Sequence, residues 1–150
     1  MRRIWHFAKS ALGIIFRHPV TGTSVIARLA DGRIILTKRR DNGLWGLPGG
    51  MVDWGEDIAT VAKRELFEET GLQVTAIRRL VGVYSSFERD PRIHSICVAV
   101  EVDATGEIRI DPIETIDVQA FYPEDIPPGR LSHDHRQQLE DYFQGKTTLA

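Results

Sequence analysis

The stretch from Ile58 to Leu72 sets acidic side chains where a helix should bury apolar ones, and this conflict constrains the chain more than any other feature. A helix is expected from about Glu56 to Thr70. Glu56 and Asp57 suit the positive end of its dipole, and Gly71 supplies a left-handed stop. On a wheel of roughly 100° per residue, Val61, Ala62, Glu65, Glu69 and Leu72 fall within about 60° of Ile58, and Glu68 lies about 80° away. Residues three and four apart are neighbours on a helix surface, so three carboxylates are expected to converge. Turned toward a core, they lose hydration and repel one another unless something compensates. A divalent cation does so. With no Cys or His ligand pattern nearby, these hard oxygen donors favour Mg²⁺ or Mn²⁺ over zinc. Mg²⁺ commonly shares its coordination with substrate phosphates, which implies a phosphorylated ligand. The competing reading of Arg64 to Glu69 is a solvated acidic helix face.

The rest of the chain supplies one frame for this helix. Its 150 residues, 42% apolar and 27% charged, suit a single α+β domain with one core. Val/Ile/Leu-rich runs predict strands at Thr23 to Leu29, Arg33 to Lys38, Val74 to Tyr84, His94 to Val102 and Asp117 to Tyr122. Asp31-Gly32 turns the first pair into a hairpin. Leu44 to Val52, with Pro48, Gly49 and Gly50, reads as an irregular loop able to approach another group closely. A last helix is expected from His133 to Phe143, capped by Ser132. Residues 1 to 20 are expected to form an amphipathic helix or arm, with Ile4, Phe7, Ala11, Ile14 and Ile15 at helical spacing, and residues 21 to 150 the domain. His6, Lys9 and Ser10 break the apolar run a signal peptide needs, and no window approaches the ~18 apolar residues of a membrane span. A net charge of -2 argues against a stable nucleic-acid complex held by bulk electrostatics. The lone Cys97 cannot form an internal disulfide and points to a reducing, cytoplasmic setting.

Spacing sharpens the helix signal. Gly50, five residues, Glu56, seven residues, then Arg64-Glu65-Leu66-Phe67-Glu68-Glu69-Thr70-Gly71-Leu72 resembles the signature of the Nudix hydrolases at every specified position. Chance would produce such a match on the order of 10⁻⁹ times per starting point. The resemblance implies the Nudix fold, a mixed β-sheet sandwiched between α-helices, and Mg²⁺-dependent cleavage, with Mn²⁺ as substitute, of a nucleoside diphosphate linked to another moiety. It implies that Glu65, Glu68 and Glu69 are metal ligands, with the Gly50 carbonyl a further one, while Arg64 and Glu56 orient the helix and its carboxylates. It also makes a homodimer an expectation.

Hydrolysis of a pyrophosphate needs a proton acceptor for the attacking water. Glu65 and Glu69 are the first candidates, and Glu114 and Glu88 are alternatives from outside the motif. Arg39 is placed ahead of Lys38 and Arg40 for a charge-assisted phosphate contact, because strand alternation separates it from both neighbours. Trp45 is expected beneath the Gly-rich loop, and Trp54 against the variable part of the ligand. Phe87, in the loop Ser86 to Arg92, is a candidate for base or sugar contact; the loop resembles that of Nudix enzymes acting on ADP-ribose. His133 and His135, if both helical, point about 200° apart and cannot share a metal. Cys97 reads as a buried, inert thiol.

The expected function is a small-molecule pyrophosphohydrolase acting on ADP-ribose or a related nucleotide sugar. The alternatives are a (deoxy)nucleoside triphosphate or dinucleoside polyphosphate hydrolase, a catalytically silent nucleotide sensor, and a membrane-recruited module.

Overall fold

The fold comes from a computed structural model that describes residues 18–90, 93–110, 112–113 and 115–150. The N-terminal helix expected over residues 1 to 20 lies almost wholly outside them, as does Glu114. In chain order the elements are β1 (Val20–Arg28), β2 (Ile34–Arg39), β3 (Trp45–Gly46), α1 (Ile58–Thr70), β4 (Gln73–Tyr84), β5 (Ser95–Thr105), β6 (Thr115–Phe121), α2 (His135–Phe143) and β7 (Thr148–Leu149). No described helix is long and apolar enough to cross a membrane.

The sheet is mixed, as expected. β1 runs parallel to β5 along its whole length, from Val20 opposite Ser95 to Arg28 opposite Asp103, while β5 and β4 are antiparallel. The strand order is β3-β2-β1-β5-β4-β7, with β6 paired to the other edge of β2. The expected β1–β2 hairpin forms, but its register contains only Arg28 opposite Ile34. Beyond that point the Gly-rich segment occupies the edge of β1. Val25 N donates to Pro48 O (2.8 Å), Thr23 N to Gly50 O (2.8 Å) and Val52 N to Thr21 O (2.9 Å). The loop is therefore fixed to the central strand by backbone bonds, which fixes the position of anything it carries.

Both faces of β1 are covered, so its residues divide by parity. Val25 and Ala27 pack with Ala62 and Leu66 of α1, whereas Ile26 packs with Trp45, Leu47 and Leu139 of α2. The helices thus cover opposite faces of the sheet. Each fully buried Val, Leu or Ile side chain in these clusters contributes roughly 1.5–3 kcal/mol.

Two helix starts differ from expectation. α1 begins at Ile58, because Asp57 is its extended N-cap and accepts from Thr60 N through Oδ1 (2.7 Å). Glu56 therefore lies one residue before the N-cap, outside the helix. The C-terminal end is as expected: Gly71 has φ 76° and its N–H donates to Phe67 O (2.8 Å). α2 begins at His135, not His133, because His133 sits at φ 51°, outside the right-handed helical region. Ser132 is not its cap; the N-cap position falls to Asp134, whose carboxylate is turned instead to Arg89 at 2.6 and 2.8 Å.

Candidate active site

The inward face of α1 meets the Gly-rich loop. Glu65 is buried against Gly50 so closely that a Cβ there would stand 2.2 Å from its Oε1. Glu69 lies one turn on, with Gly49 N donating to Oε1 at 3.3 Å. Burial pushes the Glu69 carboxyl up to about 8, the Gly49 N–H opposes that shift, and nearby Glu65 adds to it. The wheel placed these two carboxylates correctly.

Glu68 departs from expectation. Its side chain is 54% exposed, and Arg64 Nη1 bonds both Glu65 Oε1 (2.7 Å) and Glu68 Oε2 (3.2 Å). Among the described residues, no three acidic, His or Cys side chains gather around one point. The guanidinium lies between Glu65 and Glu68 and neutralises them where they stand, so the three acids line one cleft without converging. Arg64 also grips Glu56 with a two-pronged contact (2.7 and 2.8 Å) and donates to Met51 O (3.2 Å). That grip, with Asp53 N donating to Glu56 at 3.0 Å, holds the Glu56 carboxyl down to about 2. Arg64 and Glu56 thus tie α1 to the loop.

These residues fit a hard divalent cation. The donors are all oxygen, a side chain at Gly50 would fill the cradle, and the fold disfavours the Glu69 charge in a way that a cation reverses.

Two cavities flank the loop. One, of about 450 Å³, is lined by Arg39, Gly49, Gly50, Arg64, Glu65 and Glu69. The other, of about 220 Å³, lies between Ser24, Arg89, Cys97, His133 and His135. Arg39 and the segment Gly49 to Met51 border both, so the loop is a ridge between two lobes.

Arg39 is the member of its basic run that reaches the cleft. Its guanidinium is paired with Asp41 at 3.0 and 2.9 Å. Lys38 lies over the Trp45 ring (5.9 Å), and Arg40 donates to Pro112 O (2.8 Å). Trp45 is buried beneath the loop and meets Phe121 edge-on at 5.1 Å. Trp54 is fully exposed; Phe87 is exposed and stacks edge-on with His94 (5.7 Å). Neither they nor Glu88 border the two lobes. Arg89 and Asp90, from the same loop, do border the smaller one. Cys97 is buried, and burial pushes its thiol up, as an inert thiol requires.

The two histidines correct a further expectation. Their rings lie 5.9 Å apart, because His133 precedes the helix and the helical angle between them does not apply. His135 is buried and accepts from Leu47 N through Nδ1 (3.0 Å). Burial, opposed by Asp134, pushes it down to about 4 from 6.5. The unfolded chain therefore binds a proton there that the folded chain refuses. The contribution of His135 to stability is complete above about 6.5 and declines as pH falls toward about 4, while Glu69, with its carboxyl pushed up to about 8, contributes in the opposite sense above 4.5. Because the two oppose each other, the check is a difference between variants: melts through the His135 window should show the wild-type Tm, taken relative to His135→Asn, falling as pH falls, and parallel Tm profiles would contradict the assignment. Sequence reasoning missed His135 because nothing at positions 133 to 135 marks the break in helix that turns the ring inward.

A family model of the NUDIX domain matches residues 18–142. The chain belongs to the NUDIX family. It is 34% identical over 135 residues to the ADP-ribose pyrophosphatase of Methanocaldococcus jannaschii, a match covering 88% of this chain and 78% of that protein. The crystal structure of a MutT NUDIX hydrolase from Burkholderia pseudomallei is 32% identical, covers 83% of this chain and 98% of its own, and superposes with a TM-score of 0.73. An ADP-ribose pyrophosphatase from Streptococcus suis is 26% identical, covering 89% and 100% of the two chains, also with a TM-score of 0.73. This Nudix hydrolase thus has its motif, Gly50 to Leu72, on the loop and helix that line the acidic cleft.

Proposed function

We propose that this Nudix hydrolase is a Mg²⁺-dependent pyrophosphohydrolase that cleaves ADP-ribose, or a closely related nucleotide sugar, within its diphosphate. The observation that carries the reading is the packing of Glu65 and Glu69 against Gly49 and Gly50, at a ridge with a second lobe on its far side. Such a site takes a diphosphate on one side and one of its substituents on the other. The likeness to the Methanocaldococcus jannaschii pyrophosphatase over most of the chain supports ADP-ribose.

Glu65, Glu68, Glu69 and the Gly50 carbonyl would hold the Mg²⁺, with Mn²⁺ as a substitute. Bound there, the cation supplies charge neutralisation on the diphosphate and a more acidic water. The chain's own residues do the rest. Arg39 leaves Asp41 for the phosphate oxygens, a fork-shaped contact suited to them. Arg64 keeps Glu65 against the loop, and the Gly49 N–H orients Glu69. Glu69 or Glu65 accepts the proton as water oxygen bonds to phosphorus and the bridging P–O bond breaks, giving AMP and ribose 5-phosphate from ADP-ribose. Ser24, Cys97 and His133 line the lobe for the attached moiety.

The test is a panel of nucleotide sugars, nucleoside triphosphates and dinucleoside polyphosphates with Mg²⁺ or Mn²⁺, followed by product analysis in ¹⁸O-labelled water. The expected result is metal-dependent release of AMP and ribose 5-phosphate, with one of them labelled and the highest kcat/KM for ADP-ribose. A better triphosphate substrate overturns the choice of substrate. Tight binding without turnover makes the protein a sensor.

A further inference from the structure

The Gly-rich loop is anchored on two sides, and only one belongs to the sheet. β1 holds it through the carbonyls of Pro48 and Gly50. On the other side the buried Leu47 N–H donates to His135 Nδ1 at 3.0 Å, across 88 positions of sequence. The ring lies so close that a Cβ on Gly46 would stand 2.8 Å from Nδ1 and 3.1 Å from Cε1. Next to it, Trp45 N donates to Arg130 O (2.9 Å) and Ser132 N to Trp45 O (2.7 Å), locking β3 to the chain entering α2. Pro48, with its restricted φ, is all that separates Leu47 from Gly49. A shift at Leu47 therefore passes directly into the glycines.

We propose that His135 is a positioning residue for the diphosphate site: by accepting the Leu47 N–H it fixes where Gly49 meets Glu69 and where Gly50 backs Glu65. The proposal rests on the function proposed above. Without the acceptor, a buried donor is left unsatisfied, and the loop can recover a partner only by moving. Displacements of that kind cost rate out of proportion to stability, because reacting groups need near-ideal placement. His135 touches the loop and borders the smaller lobe but not the reacting atoms, so loss of the acceptor should fall on kcat, and a change in KM would report the lobe instead.

The experiment compares His135→Leu, which keeps bulk without an acceptor, with His135→Asn, whose Oδ1 replaces Nδ1. The Leu variant should lose about 10–100-fold in kcat with KM changed less than about threefold, and the Asn variant should recover most of that loss. The Leu47, Gly49 and Gly50 amide resonances should move in the Leu variant and return toward wild type in the Asn variant. Activity retained in both variants, or lost in proportion to Tm with no rescue by Asn, overturns the proposal. If the Leu variant does not fold, the wild-type imidazole ¹⁵N spectrum decides: protonated Nε2 with bare Nδ1 supports the proposal and the opposite tautomer overturns it. If the wild type turns over no nucleotide, the function is wrong on separate grounds. His135 is then judged by Mn²⁺ affinity and the glycine amides, and values unmoved in the folded Leu variant overturn the proposal.

Discussion

Replacing Glu69 with Gln is expected to lower metal-dependent turnover by about 10²–10⁴-fold on every substrate while leaving the fold no less stable. Glutamine matches the shape of Glu69 and keeps an oxygen to accept from Gly49 N, now at 3.3 Å. What it removes is the anion. The fold works against that anion, since burial first and Glu65 next push the carboxyl up to about 8. A charge disfavoured by its surroundings adds nothing to folding, so the neutral variant should melt at or above the wild-type Tm in the absence of metal. Adding Mg²⁺ should raise the wild-type Tm, because a ligand that binds only the native state stabilises it, and should raise that of Glu69→Gln far less. Turnover across the substrate panel and melts with and without Mg²⁺ check both halves. Undiminished turnover would remove the mechanism, and a large fall in Tm would make Glu69 a structural residue.

The motif helix was readable because its signals are local. Asp57, Gly71 and the apolar spacing of Ile58, Val61 and Ala62 mark its ends and its inward face within a few neighbouring residues. The inward turn of Glu65 and Glu69 follows from the same periodicity. Glu68 stands further out than the wheel suggests because its orientation depends on Arg64, which has to be shared among Glu56, Glu65 and Glu68, and a helical wheel contains no such competition. β3 and β7, two residues each, are too short to show any period. The partnership between His135 and Leu47 could not be read at all. It joins residues 88 positions apart, and the His133 backbone that aims the ring is left-handed without a glycine to announce it. Arg89 lay in a loop that also offered aromatic and acidic candidates, and its ion pair with Asp134 joins residues 45 positions apart, beyond the reach of local signals.

Alanine at Gly49 and alanine at Gly50 should fail in opposite ways. A Cβ on Gly49 would stand 2.1 Å from Thr23 O and 3.0 Å from Ser24 Cα, and the residue sits at φ 153°, which L side chains rarely adopt. Both obstacles are backbone of β1, the strand covered by core on its two faces, so neither can yield. Relief requires the loop to leave the strand edge, breaking Thr23 N to Gly50 O and Val25 N to Pro48 O. Gly49→Ala should therefore lose about 3 kcal/mol or more of stability, measured by denaturant unfolding. The three atoms nearest to a Cβ on Gly50 all belong to the Glu65 carboxylate, at 2.2, 2.4 and 2.7 Å, and that group can rotate away. Gly50→Ala should stay folded, with a loss of about 1 kcal/mol, while turnover falls about 100-fold or more as Glu65 leaves its place. Full activity in Gly50→Ala would mean that the chemistry does not need Glu65 against the loop, and wild-type stability in Gly49→Ala would mean that stability does not need the loop on the edge of β1. Adjacent glycines thus separate two requirements: one lets the loop reach the sheet, and the other lets a carboxylate reach the loop.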